Sequence, residues 1–163
     1  MNPLKSVGIQ YAALPYRLEG RQVRILLITS RQSKRWVIPK GWPIDGLMPR
    51  EAVATEAAEE AGIIGKVEPK PIGSFHYMKG LKRERTTAVQ VIVFPFLVED
   101  QAPAWKEQGE RSQQWFGYRK AASLVAEPSL RGLIREFGAS RGASFFGRRL
   151  RQYRAWRFGV TME

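Results

Sequence analysis

Glu56, Glu59 and Glu60 stand at i, i+3 and i+4 of a run rich in alanine and glutamate. If the run is a helix, the three carboxylates share one face and repel, each like-charged pair costing about 0.2–0.5 kcal/mol. A divalent cation relieves that repulsion, and hard oxygen donors without cysteine or histidine suit Mg²⁺ or Mn²⁺. The same spacing also describes a plain solvated acidic face, so spacing alone leaves both readings open. Glu51 belongs to the run but is less well aligned. Elsewhere the chain has no cysteine and a single histidine, His76. Thiolate zinc sites, iron–sulfur clusters, disulfide frameworks and cysteine nucleophiles are thereby excluded, and a Ser-His-Asp triad is disfavoured.

Pro49 at a first-turn position and Gly62 as a stop bracket a helix over Arg50–Ala61. Its face of Val53, Ala57, Ala61 and Ile64 is built mostly from small residues, so the helix should lie close to its support. Val7–Arg17 reads as a strand ending near Pro15, followed by a turn at Glu19-Gly20 and a strand over Val23–Ser30. The apolar run Ile25–Ile28 marks that second strand as central and buried on both faces. Trp36-Val37-Ile38 is a short extended stub, and Gly41–Pro49 is a loop rich in glycine and proline. Val67–Met78 and Thr86–Val98 read as long strands joined by a basic turn, Lys79–Arg85. A short strand at Trp115-Phe116 and helices near Lys120–Ala126 and Ser129–Phe137 follow. The irregular order of strands and helices predicts an α/β domain with a mixed sheet.

A length of 163 residues fits one domain. The 27 Lys+Arg against 15 Asp+Glu leave a formal charge of +12, which attracts phosphate-rich partners: nucleic acid, a nucleotide, an inositol phosphate or an anionic membrane. Eight arginines in residues 128–163, against Glu136 and Glu163, carry half of that excess. If Phe145–Phe158 is helical, Phe146, Leu150 and Tyr153 form an apolar stripe opposite Arg148, Arg151 and Arg154. The division expected is a domain over 1–140 and a basic extension over 141–163, read as a docked helix or tail, with nucleic-acid contact or a membrane-surface helix as other uses. No apolar run approaches the ~18–20 residues of a membrane span, and Met1–Tyr16 lacks a signal-peptide core, so the expected location is cytoplasmic.

The stretch GWPIDGLMPREAVATEAAEEAGI, from Gly41 to Ile63, resembles the Nudix box, G-x5-E-x7-R-E-U-x-E-E-x-G-U, where U is a bulky aliphatic residue. Gly41, Glu56, Glu59, Glu60, Gly62 and Ile63 match it. Leu47 replaces the first glutamate, Thr55 replaces the arginine, and Ala57 is small where a larger aliphatic is usual. Outside the box, Leu27–Arg31, Arg35–Pro39, Gly73–Phe75, Lys82–Thr86 and Glu110–Phe116 are similar to diphosphoinositol polyphosphate phosphohydrolases, and the likeness spans roughly residues 7–137.

The resemblance implies a Nudix-type α/β/α sandwich and a hydrolase of phosphoanhydride bonds, using Mg²⁺ or Mn²⁺ and water attack on phosphorus. By family position Glu56, Glu59 and Glu60 form the catalytic group; Glu56 and Glu60, with the Gly41 carbonyl, are metal ligands, Glu59 is a further ligand or orients metal-bound water, and the base is Glu56 or Glu60. Thr55 cannot make the bidentate pair by which the family's arginine orients those carboxylates. Arg31, Arg35 and Lys40 beside the box, and Lys82, Arg83 and Arg85 with Lys79 in the basic turn, are candidate phosphate-binding residues. Crowded polyanions such as diadenosine polyphosphates or diphosphoinositol polyphosphates suit that many cations. Two alternatives stand beside this reading: removal of pyrophosphate from RNA 5′ ends, and a silent Nudix domain that binds RNA or protein. Glu107 and Glu110 lie where some relatives carry a further carboxylate in a loop, with a surface role as the other reading. Trp36 and Trp42 are candidates for stacking on a purine or for packing; Trp115 and Phe116 are expected in the core, and His76 on a strand. Oligomeric state is left open.

Overall fold

The computed structural model describes residues 7–83 and 85–142, so the stripe expected over Phe145–Phe158 lies outside the described residues. Chain order is β1 (Gly8–Glu19), β2 (Gln22–Thr29), β3 (Trp36–Val37), β4 (Lys40–Gly41), α1 (Pro49–Ala61), β5 (Ile63–Val67), β6 (Gly73–Gly80), β7 (Thr86–Gln101), β8 (Gln113–Gly117) and α2 (Tyr118–Leu124). A third helix, α3, covers 128–142. The strands form one mixed sheet with the order β3-β2-β1-β7-β5; β4 also pairs with β1, β6 with β7, and β8 with β2. The β1–β7 pair is parallel and the rest are antiparallel.

The period-two alternation of each strand splits the apolar residues between two layers. Along β2, Val23, Ile25 and Leu27 face one layer while Leu26 and Ile28 face the other. Along β7, Val89, Val91 and Val93 point one way and Phe94 and Phe96 the opposite. Val53, Ala57 and Ala61 of α1 close the second layer, and Ala121, Ala122, Leu130, Ile134 and Phe137 of α2 and α3 close the first. The expected α/β sandwich with a mixed sheet is therefore what the chain forms.

Three local readings change. β1 does not end near Pro15 but continues to Glu19, because Pro15 falls where the neighbour on that side changes from β4 to β2, whose ladder begins at Tyr16; no hydrogen bond is forfeited by the missing N–H. The long strand expected over Val67–Met78 is two strands, separated where Pro69 and Pro71 interrupt the ladder. Ile64 is half-exposed and Ile63 is the buried residue, because Gly62 turns left-handed (φ 64°) and moves the register off the helix face.

Tyr16 donates a hydrogen bond to Glu68 (2.7 Å), and Arg141 of α3 pairs with Glu68 and donates to the Tyr16 hydroxyl (3.1 Å), tying α3 to the sheet. Gly65 marks the bulge between β5 and β7, where an added Cβ would lie 1.9 Å from the Leu97 carbonyl oxygen. A backbone oxygen cannot rotate away, so Gly65→Ala is expected to destabilise the fold by about 1–3 kcal/mol in a denaturant titration. An unchanged midpoint would show that β5 can shift freely.

Candidate active site

α1 is built locally to present its acidic face. The Met48 N–H donates to the Glu51 carboxylate (2.7 Å), which consumes Glu51 as a cap and explains why it stands apart from the other glutamates. At the other end the Gly62 N–H donates to Ala58 O (3.0 Å), closing the helix. β4 pairs with Tyr11 and Ala12 of β1 and lays the Gly41 backbone directly against Glu56: an added Cβ at Gly41 would sit 2.1 Å from Glu56 Oε1. Only glycine permits that approach.

The segment between β7 and β8 folds onto the C-terminal end of α1. The Gln101 side-chain amide donates to Ala61 O (2.8 Å) and Gly62 O (3.0 Å), and the Glu107 N–H donates to Glu59 O (3.0 Å). These bonds satisfy carbonyls that a helix end leaves open. The Trp105 ring covers Gly62, where an added Cβ would meet it at 2.3 Å. Thus anchored, the segment delivers Lys106, Glu107 and Arg111 to the acidic face. Lys106 pairs with Glu59 (3.1 Å), and Arg111 pairs with Glu60 (3.1 Å) and with Glu107 (3.3 Å). Arg31 reaches Glu107 (3.2 Å) and stands 4.0 Å from Glu110.

Charge and burial set the proton affinities. The Glu60 carboxyl is pushed up to about 7, because burial outweighs the pull of Arg111 and Lys40, with Glu107 and Glu56 adding repulsion. Glu56 is raised by burial, then by Glu59 and Glu107. Lys40 is lowered by burial, against the pull of Glu60 and Glu127. Among the described residues Glu56 has no direct hydrogen bond or ion pair, whereas Glu59 and Glu60 each have a cation. A half-buried carboxylate with no direct ion pair among the described residues, raised by burial and by Glu59 and Glu107 more than Lys106 and Arg111 lower it, offers a hard oxygen donor for a divalent ion. No three acidic side chains among the described residues, however, converge on a point.

The raised Glu60 makes a pH prediction. Between its ordinary value of 4.5 and about 7, the folded state keeps a proton that the unfolded chain has released. The stabilisation is full below the lower value and is lost as pH rises through the upper one. In chelator, wild type is expected to lose melting temperature relative to Glu60→Gln as pH rises from about 5 to about 8. Parallel curves for the two proteins would contradict the raised value.

A cleft of about 740 Å³ is lined by Gln10, Ser30, Arg31, Lys40, Tyr77 and Lys79 together with Glu60 and Arg111; Glu56 and Glu59 do not line it. Lys40 Nζ lies 5.1 Å from the Tyr77 ring centroid, and the Tyr77 hydroxyl donates to Gln10 (2.7 Å). Of the candidate phosphate-binding residues, Arg31 and Lys40 therefore border the cleft together with Lys79. Arg35 is exposed and turned to Ser33 (3.3 Å). Lys82, Arg83 and Arg85 stand exposed at the tip of the β6–β7 hairpin and do not border the cleft. Trp36 packs edge-on against Phe116, whereas Trp42 is exposed and carries Lys79 Nζ at 5.8 Å from its ring. His76 is an exposed residue of β6. Arg111 and Lys106 were not anticipated as site residues. The signal for Arg111 was an uncompensated acidic face with Thr55 where a guanidinium is usual.

A family model described as NUDIX domain matches residues 9–137. Nudix hydrolase 17, mitochondrial, of Arabidopsis thaliana is 33% identical over 116 residues, which cover 66% of this chain and 61% of that protein. Diphosphoinositol polyphosphate phosphohydrolase 3-beta of Bos taurus is 29% identical over 120 residues, covering 70% of this chain and 66% of that one. The chain spans about three fifths of the length of the plant relatives it matches. Among solved structures, a C. elegans Ap4A hydrolase binary complex superposes with a TM-score of 0.61 at 20% identity, covering 82% of this chain and 96% of that one. The NUDIX domain of Shewanella oneidensis NrtR, complexed with ADP ribose, superposes with a TM-score of 0.60 at 15% identity, covering 82% and 89%.

Proposed function

Because the chain belongs to the NUDIX domain family, we propose that it is a Mg²⁺- or Mn²⁺-dependent hydrolase of phosphoanhydride bonds, acting on a highly phosphorylated substrate such as a diadenosine polyphosphate or a diphosphoinositol polyphosphate. The observation that carries the reading is Glu56: a half-buried carboxylate with no direct ion pair among the described residues, against the Gly41 backbone, with burial and then Glu59 and Glu107 raising its proton affinity. Glu56, Glu59 and Glu60 with the Gly41 carbonyl would hold the ion, which when bound supplies charge neutralisation of the phosphates and acidification of water. The chain's own residues do the rest. Arg31, Lys40 and Lys79 border the cleft and would fix the phosphate chain by charge. Glu56 or Glu60 would take the proton of the attacking water. A bond forms from water oxygen to phosphorus, the bridging P–O bond breaks, and two phosphorylated products leave.

The names of the Bos taurus and C. elegans relatives support inositol polyphosphates and Ap4A as the substrates to try first. Purified protein with Mg²⁺ or Mn²⁺ is expected to release phosphorylated products from at least one member of a panel of dinucleoside polyphosphates, diphosphoinositol polyphosphates and 5′-triphosphorylated RNA. Lys40→Met should raise KM on that substrate with a smaller effect on kcat. Silence across the whole panel would overturn the reading. One observation favours a second reading, a non-catalytic RNA- or protein-binding module: among the described residues no three acidic side chains converge on a point, and Lys106 and Arg111 pair with Glu59 and Glu60. Salt-sensitive RNA binding without turnover would support that module.

A further inference from the structure

We infer that Arg111 is a positioning residue, supplying to Glu60 from the β7–β8 segment the guanidinium that the acidic helix lacks at Thr55. The inference rests on the reading of the glutamates as a metal-binding group. Thr55 itself is committed elsewhere, its hydroxyl donating to Glu51 O at 2.9 Å. Arg111 is 10% exposed and uses three donors on three elements: Nη2 to Glu60 Oε1 of α1 (3.1 Å), Nε to Glu107 Oε2 (3.3 Å) and Nη1 to Thr29 O of β2 (3.1 Å). A planar fork with five fixed donors can do this, and a lysine ammonium cannot.

Position explains why the fork works at a distance in sequence. Thr29 and Ser112 exchange backbone and hydroxyl hydrogen bonds (both 2.9 Å), so the Arg111 backbone is pinned to β2 independently of its side chain. The guanidinium then spans from β2 to the last turn of α1. Glu60 is left with acceptor capacity, because a carboxylate offers about four lone-pair sites, of which Arg111 takes one on Oε1 and the Lys40 N–H, donating to Oε2 at 3.4 Å, takes another. The pair can therefore orient Glu60 toward an ion without consuming it.

The sign of the effect separates positioning from mere competition. A cation that only competes with a metal for Glu60 would, when removed, let the metal bind more tightly. A positioning cation would, when removed, weaken it, by about 10–100-fold on the scale of outer partners of metal ligands. The experiment is Mn²⁺ titration without substrate, read by the electron paramagnetic resonance of free Mn²⁺, on full-length wild type, Arg111→Met, Arg111→Lys and the double variant Arg111→Met/Thr55→Arg. Melting curves in chelator accompany each.

Arg111→Met is expected to lose at least about 10-fold in Mn²⁺ affinity. Arg111→Lys should stay weak despite its charge, and the double variant should recover much of the loss. Affinity that is unchanged or tighter in a folded Arg111→Met protein overturns the inference. Should Arg111→Met fail to fold, wild-type affinity in Arg111→Lys overturns it equally. Failure of wild type to bind Mn²⁺ overturns the metal reading itself, a result distinct from either.

Discussion

Glu56→Gln is expected to abolish divalent-cation dependence and to lower turnover by at least about 10²-fold, while leaving the protein as stable as wild type or more so. The two halves of that result have one cause. Glu56 is half-buried, has no direct ion pair among the described residues, and is pushed up by burial and by the charges of Glu59 and Glu107 against the pull of Lys106 and Arg111. An amide of the same shape removes the repulsion and the cost of burying a charge, so folding in chelator is not penalised. The same change removes the carboxylate that faces the Gly41 backbone and would complete the ion's oxygen set. Turnover and melting temperature, measured on the same preparation, check both halves. Retained cation-dependent turnover would remove Glu56 from the site, and a clear fall in melting temperature would assign it a structural role.

Gly41→Ala should reproduce much of that loss by a different route. The new methyl group would meet Glu56 Oε1 at 2.1 Å and Cγ at 2.6 Å. Those atoms belong to a side chain that can change rotamer, so the fold can adapt at a cost of about 0.5–1.5 kcal/mol. The carboxylate, however, must leave the position it holds beside the backbone. Mn²⁺ affinity and turnover are therefore expected to fall by at least about 10-fold, with melting changed by only a few degrees. The contrast with Gly65→Ala is instructive: there the obstacle is the Leu97 carbonyl, which cannot swing aside, so stability is lost instead. A Gly41→Ala protein with wild-type Mn²⁺ affinity would mean that Glu56 can serve from elsewhere.

The acidic triplet and the helix that carries it were legible because both depend on neighbours within four residues. Spacing at i, i+3 and i+4 puts Glu56, Glu59 and Glu60 on one face whatever surrounds them. Pro49 and Gly62 bound the helix through backbone preferences of their own. The buried character of β2 was equally plain from Ile25–Ile28. By contrast, β5 was absorbed into a longer strand or the end of the helix: five residues with a central glycine carry little periodicity, and only pairing with β7 makes them a strand.

The partners of the triplet were a matter of tertiary structure alone. Residues 102–112 have no regular pattern, and their place against α1 is decided by the Gln101 amide, the Trp105 ring on Gly62 and the Glu107 N–H. Charge counting found an excess of cations but could not say which would meet the glutamates. The dense cluster Lys82, Arg83 and Arg85 ends at an exposed hairpin tip, while Lys40, Lys79 and Arg111, scattered along the chain, arrive at one cleft. Local sequence therefore determined where negative charge gathers, since helix geometry is short-ranged. Which positive charges answer it was left to strand pairing and loop docking, which join residues dozens of positions apart and leave no period in the sequence.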